Sequence, residues 1–293
     1  MVIQKALSAD HDVELAETSR RGHASRLAQG AAAAGTDVVV VLGGDGTLNE
    51  AANGLAGTDT ALAALPGGST NVFARTIGLP NDPIEATGAL LDALARDHIV
   101  RVGLGAVNDR YFLFHVGLGY DAAVVEQVEK RAELKRWAGH PLFVWSALDT
   151  WARHYDRSRP RFSVHFPDGS VVDDGYFAIC MNTDPYIFLG NRPLHLAPEA
   201  TLDRGLAVVT LRSLRLSRVV PQIVRALASD HGVRAGRWID RRGDLSRVVV
   251  RGHGPFPYQV DGDHLGDTTE LDLRHHPEIL RLVLPGADPG RRT

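Results

Sequence analysis

The sequence predicts a two-part α/β plus β architecture: an open parallel α/β domain over 1–103, then an antiparallel β-sandwich over 104–285. Three observations carry this. Residues 38–55 read as strand, glycine turn and helix, and residues 61–77 repeat that order. From Phe162 onward, short alternating runs separated by turn residues replace the βα rhythm.

Bulk properties bound the class. The 293 residues are 44% hydrophobic and 23% charged, as in ordinary globular proteins. The formal net charge of −3 gives no electrostatic footing for nucleic acid, so none is expected as a partner. Cys180 is the single cysteine, so no internal disulfide forms and a cytoplasmic setting fits. No apolar run approaches membrane-spanning length and no signal peptide is visible.

Residues 2–7 read as a truncated amphipathic segment and 13–18 as a short strand. Residues 22–34 are Ala-rich and read as a helix that ends near Gly35. Val38, Val39, Val40, Val41 and Leu42 then form a continuous run, as a strand buried on both faces would. Gly43, Gly44, Asp45, Gly46 and Thr47 follow. After them Leu48, Ala51, Ala52 and Leu55 fall at helical spacing.

A glycine turn that opens a helix suits a phosphate. Glycine lets backbone approach closely, and N–H groups at a helix start face an anion with the helix dipole behind them. No Gly-Lys-Ser/Thr follows, so the turn is not a P-loop, and the dinucleotide Gly-x-Gly-x-x-Gly spacing is also absent. Asp45 among such amides would repel a phosphate unless a cation lay between, which points to a metal-bound nucleotide. The plain alternative is a tight turn in which Asp45 is a helix cap.

Residues 61–65 read as a second parallel strand, and Pro66-Gly67-Gly68-Ser69-Thr70 as a second glycine turn that enters a helix over 71–77, with Ser69 or Thr70 as its cap. Both turns then lie at the carboxyl ends of neighbouring strands, where open α/β sheets bind ligands. Asn81-Asp82-Pro83 caps a further helix that runs to about residue 96.

Residues 99–107 and 111–117 read as strands around Asn108-Asp109. A helical patch over 121–151 holds Trp137, Trp145 and Trp151, read as core packing rather than a lipid-facing surface. Strands follow at 162–166, 176–181, 206–211, 247–250, 258–260 and 279–284. One helix over 217–229 interrupts them. Ser217 caps it, and Val220, Ile223, Val224 and Leu227 form its apolar face. The tail over 286–293 reads as disordered.

Gly43-Gly44-Asp45-Gly46-Thr47 resembles the signature shared by diacylglycerol and sphingoid-base lipid kinases, NAD kinases and, more distantly, phosphofructokinases. The continuation Leu48-Asn49-Glu50-Ala51-Ala52-Asn53-Gly54-Leu55 is similar to the lipid-kinase branch. So is Leu65-Pro66-Gly67-Gly68-Ser69-Thr70-Asn71-Val72-Phe73-Ala74-Arg75. The resemblance implies a phosphofructokinase/NAD kinase-like nucleotide domain and ATP-dependent transfer of a γ-phosphoryl group to a lipid alcohol, diacylglycerol first. It implies ATP and Mg²⁺ as cofactors. It places nucleotide contacts at Thr18, Gly43, Gly44, Asp45, Gly46, Thr47, Asn49, Glu50, Gly68 and Ser69. Asp45 would organise the metal and serve catalysis, and Asp203 would help to hold a magnesium ion. Asp263, in Asp261-Gly262-Asp263, matches the family's general base, which is ordinarily a Glu. The sandwich would complete the cleft.

Four departures accompany the resemblance. Val72 stands where the family carries Asp, Arg204 replaces the second acid after Asp203, and Asp263 is one methylene shorter than Glu. The usual first strand and Asn-Pro loop are missing, which suggests a start assigned too late. The enzyme would meet its lipid at the inner membrane face from the water side, and a homodimer is compatible with the sequence. The rival readings are an NAD kinase-type enzyme and a lipid-binding homologue without catalysis.

Overall fold

The computed structural model describes residues 2–130 and 145–286. In chain order the elements begin with α1 (Val2–Leu7), α2 (His23–Ala33), β1 (Val38–Gly43), α3 (Asp45–Leu55), β2 (Ala61–Pro66), α4 (Val72–Thr76) and α5 (Pro83–Ala95). There follow β3 (Ile99–Val107), β4 (Arg110–Phe112), β5 (His115–Gly119), α6 (Tyr120–Glu129) and a π-helical turn, Thr150–His154. The rest is β6 (Phe162–His165), β7 (Val171–Gly175), β8 (Phe177–Met181), β9 (Ile187–Leu189), β10 (Arg192–Leu194), β11 (Leu206–Leu211), α7 (Leu216–Ala228), β12 (Ile239–Leu245), β13 (Arg247–Val260) and β14 (Asp263–Val283).

The chain forms two compact units, Met1–Val102 with Glu278–Thr293, and Gly103–Pro277. The sequence boundary of 104–285 is therefore corrected at its end. The last residues of β14 leave the second unit and pair in parallel with β2, Arg281 opposite Ala61 and Leu282 opposite Leu62.

In the first unit β1 and β2 are parallel and in register, from Val38 opposite Ala61 to Gly43 opposite Pro66. β2 lies between β1 and β14, and all of its residues are buried. β1 is an edge strand with Leu42 exposed, so its unbroken apolar run does not mark burial on both faces. α3 buries Leu48, Ala51, Ala52 and Leu55. Gly54 lets α2 pack against it, because a methyl group there would overlap the Ser25 carbonyl oxygen. Asp82 caps α5 as expected, accepting the Ile84 and Glu85 N–H groups at 2.8 and 3.0 Å. Residues 13–18 find no strand partner and run as irregular chain.

The second unit is the antiparallel β-sandwich. β5, β8, β11 and β12 pair in that order. β13 changes neighbours along its length: its start pairs with β6, Val249 opposite His165, and its end with β5, Val260 opposite Val116. The register shifts between Arg251 and Phe256, where Gly252, Gly254 and Pro255 lie. Those breakers made one strand look like two, yet a bulge tolerates them. Phe112, Phe162, Phe256, Leu118 and Leu273 belong to the buried hydrophobic core of this unit. Trp137 and the tail beyond Gly286 lie outside the described residues.

Candidate functional site

The two glycine turns meet backbone to backbone. Gly43 and Pro66 end paired strands, and the Gly67 N–H donates to the Gly43 carbonyl at 2.9 Å. A methyl group on Gly67 would stand 2.8 Å from the Gly43 nitrogen, and one on Gly68 2.6 Å from the Gly44 Cα. Any side chain at either position would push the turns apart. Gly46, Gly67, Gly68 and Ser69 are exposed, so this glycine-lined backbone is open to a ligand.

Asp45 lies not within the turn but at the first position of α3. Its Oδ1 accepts the Phe73 N–H at 3.1 Å, and its Oδ2 accepts the Val72 N–H at 3.0 Å and the Thr70 hydroxyl at 3.3 Å. Asp45 is thus a cap, as one sequence reading had it, but of α4 rather than of its own helix. Neither Ser69 nor Thr70 caps α4; the residue before it, Asn71, is left-handed with φ 51°. Its side chain accepts from the Gly68 N–H at 2.7 Å and donates to Asn81 at 2.8 Å, which fixes the second turn.

Glu50 has a similar occupation. Its two oxygens accept the Gly22 and Ala24 N–H groups at 2.7 and 3.1 Å, at the start of α2. Asn49 is buried and accepts from Asn53 at 3.3 Å. Thr47 is half-buried, and Thr18 is exposed on the irregular chain before α2. The start of α4 is filled by Asp45, whereas Gly44, which precedes α3, gives it no side-chain cap. The first-turn N–H groups of α3 on Gly46 and Thr47 have no intrahelical acceptor. They and the exposed Gly67–Ser69 backbone form a surface complementary to a phosphate chain.

In the second unit the Asp261-Gly262 pair makes a two-residue hairpin between β13 and β14, with φ 47° and 80°. Both values are positive, as a type I′ turn requires. The buried Asp261 carboxylate accepts three N–H groups, from Leu113 at 2.7 Å and from Phe114 and His115 at 3.0 Å each. Asp263 follows at the start of β14, half-buried, with Arg110 at 3.2 Å from its Oδ2. Nothing in the sequence singled out Arg110; an isolated arginine after an Asn-Asp turn carries no signal.

Behind this hairpin lies a buried polar chain. The Gly262 N–H donates to Gln259 Oε1 at 2.8 Å, Gln259 Nε2 donates to Asp121 Oδ2 at 2.8 Å, and the Tyr186 hydroxyl donates to Asp121 Oδ1. Gly117 must be glycine here, since a methyl group would overlap the Asp121 carboxylate. Burial raises the Asp121 pKa against the opposing bonds from Tyr186 and Gln259. Burial also lowers the pKa of the neighbouring His115 to about 3.

Asp203 stands exposed in the turn before β11, with its pKa lowered first by the Thr201 side chain. Among the described residues no group of three His, Cys, Asp or Glu could hold a metal ion. The Asp45 carboxylate is engaged by the start of α4. Trp151 packs inward, its indole N–H donating to the Leu214 carbonyl at 3.0 Å, whereas Trp145 is exposed. No helix among the described residues is long and apolar enough to cross a membrane.

The family pattern of the diacylglycerol kinase catalytic domain matches residues 1–130. The chain is 34% identical over 294 residues to a probable lipid kinase YegS-like protein of Pseudomonas fluorescens, covering 98% of this chain and 90% of that one. It is 36% identical over 121 residues to a diacylglycerol kinase of Bacillus subtilis, covering 40% of this chain and 39% of the relative. The crystal structure of a diacylglycerol kinase from Bacillus anthracis superposes with a TM-score of 0.70 at 20% identity, covering 96% of this chain and 89% of that one, which speaks to the fold. The chain belongs to the diacylglycerol kinase-type lipid kinase family, whose members are phosphotransferases with an alcohol acceptor.

Proposed function

We propose that the protein is an ATP-dependent lipid kinase acting on diacylglycerol at the inner membrane face. The observation that carries the reading is the exposed backbone surface made by the start of α3 and the glycine turn at Gly67–Ser69. Oriented N–H groups there would take the nucleotide phosphates without a lysine or a P-loop. The α3 dipole would add to their pull.

Residues are assigned accordingly. Gly43, Gly44, Gly46 and Thr47 with Gly68 and Ser69 would contact the phosphate chain. Asp45, Asn49 and Glu50 would act through position, since their side chains tie α4, Asn53 and α2 to this surface. Magnesium would arrive with the nucleotide and take most of its ligands from phosphate and water, because the described residues offer no three-ligand group.

In the transfer, the lipid hydroxyl oxygen bonds to the γ-phosphorus as the bond to the β,γ-bridging oxygen breaks, and ADP leaves. The hydroxyl proton passes to Asp263, whose carboxylate Arg110 orients. Such chemistry is mainly positioning and charge stabilisation, which suits oriented backbone N–H groups.

The test is transfer from γ-labelled ATP to diacylglycerol dispersed with other lipid alcohols, with NAD in a parallel reaction. Label in phosphatidate is expected. Label only in another lipid would move the acceptor, and label in NADP would move the protein to the NAD kinase branch. No transfer to any acceptor would leave a lipid-binding homologue without catalysis.

A further inference from the structure

The sequence gives α7 a strong apolar stripe, which on most helices faces a core. The structure turns most of it outward, while Leu227 packs against the core around Ala226. Leu216, Val220, Ile223 and Val224 fall at i, i+4, i+7 and i+8 and are 43, 47, 43 and 59% exposed, while the one buried residue of the helix is Ala226. Ser217 does not cap the helix; Arg215 precedes it.

Charge around this stripe is one-sided. From Arg212 to Trp238 the chain carries Arg212, Arg215, Arg218, Arg225, Arg234 and Arg237 against a single acid, Asp230, although the whole protein is net negative. These arginines are tied to the helix. Arg218 stacks on Trp238 at 3.4 Å and Arg237 lies over the same ring at 4.7 Å. The Arg234 N–H donates to Gln222 of α7 at 3.1 Å. At the helix start, Arg157, Arg212, Arg215 and Arg218 line a cavity of about 740 Å³. Arg212 is held by Asp174 at 2.5 Å. Among the described residues no carboxylate pairs with Arg215, Arg218, Arg225, Arg234 or Arg237.

We propose that the outward face of α7 and its arginine fringe lie on an anionic lipid bilayer. An exposed apolar stripe of this kind marks an interaction surface. Its 13 residues span roughly 20 Å, too short to cross a bilayer core of about 30 Å but suited to lying in its interface. A second copy fits less well, since a symmetric contact would set arginine fringe against arginine fringe. The proposal rests on the lipid-kinase reading in that it supplies the surface by which such an enzyme meets its acceptor.

The experiment is flotation of the full chain with vesicles of phosphatidylcholine alone and of phosphatidylcholine with an equal part of phosphatidylglycerol. The protein is expected to float only with the anionic vesicles, and less so as salt rises. The triple variant Val220→Ser, Ile223→Ser, Val224→Ser should partition roughly tenfold less or worse. Arg215→Gln with Arg225→Gln should lose about fivefold per charge. All five positions are exposed, so the urea midpoint should not move. Triple-variant flotation equal to wild type would overturn the proposal. So would a wild-type dimer that the triple variant converts to monomer, because the face would then be a self-association surface. Activity separates the two readings. Wild type that floats but phosphorylates no lipid upholds docking and removes the kinase. Turnover of a water-dispersed short-chain diacylglycerol, with flotation unaffected by the variants, upholds the kinase and removes docking.

Discussion

The side-chain amide of Gln259 donates to the carboxylate of Asp121 at 2.8 Å in a part of the sandwich sealed from water. The pair is 138 residues apart in the chain, and through Gly262 it reaches the hairpin that leads to Asp263.

Gln259→Leu should therefore cost about 1–3 kcal/mol, because it strands one oxygen of a buried acid and one hairpin N–H. Urea denaturation measures it. Combining it with Tyr186→Phe, which removes the other donor to Asp121, should give a non-additive loss. Strict additivity would mean the two donors act independently.

His115 sets an acid limb. Its pKa is about 3 folded against 6.5 for the free group, so below pH 6.5 the unfolded chain binds the extra proton. Stability is then lost as pH falls from 6.5 toward 3, by at most about 1.4 kcal/mol per pH unit for this one proton. Asp121 runs the other way. Its raised pKa means that the folded chain holds the proton more tightly, so this contribution fades as pH rises above 3.8. His115→Leu should flatten the limb between pH 6.5 and 3, read from urea midpoints across that range. An unchanged limb would show that other groups set it.

Asp45→Ala should weaken the fold as well as the reaction. The carboxylate satisfies two N–H groups of α4, so its loss should cost about 1–3 kcal/mol. Thr70→Val, which removes only the 3.3 Å hydroxyl contact, should cost well under half as much. An Asp45→Ala protein with wild-type stability and no turnover would return Asp45 to a purely chemical role.

Gly68→Ala should lower ATP affinity roughly tenfold or more, since its methyl group would meet the Gly44 Cα at 2.6 Å and separate the two turns. Gly30→Ala is the control. It has open space and a helical position, so it should be neutral or slightly stabilising. Calorimetric titration with ATP reads both.

Asp263→Ala should slow transfer by on the order of 10²–10⁴ if the carboxylate takes the lipid proton. Arg110→Ala should lower the rate less, because it removes the ion pair without the acid. Equal turnover in Asp263→Ala and wild type would make Asp263 a turn residue.

Local signals were legible where they act within a few residues. The β1–α3–β2 succession, the Asp82 cap and β11 could all be read from periodicity and capping chemistry. Partners contributed by distant elements could not. Asp45 and Glu50 both look like ligand residues in a glycine-rich signature, yet each caps a helix that begins more than twenty residues away. Asp261 sits in a two-residue turn, where sequence gives no sign of burial, and is a buried acceptor of three N–H groups. Strand lengths failed for another reason. Proline and glycine in β13 and β14 fall at a bulge and where β14 changes neighbours, so they interrupt a pattern without ending a strand. The apolar face of α7 was legible, but its direction was not, since periodicity reports a stripe and not what lies opposite it.

The bond from Asp45 to the N–H groups of Val72 and Phe73 also limits portability. The five-residue signature at 43–47 is one half of a lock whose other half is the start of α4. Grafted alone onto another strand–helix junction, it would bring an acid with nothing to hold. Designers who wish to move this phosphate surface between scaffolds would have to transplant both strands, with their register, as a single cassette.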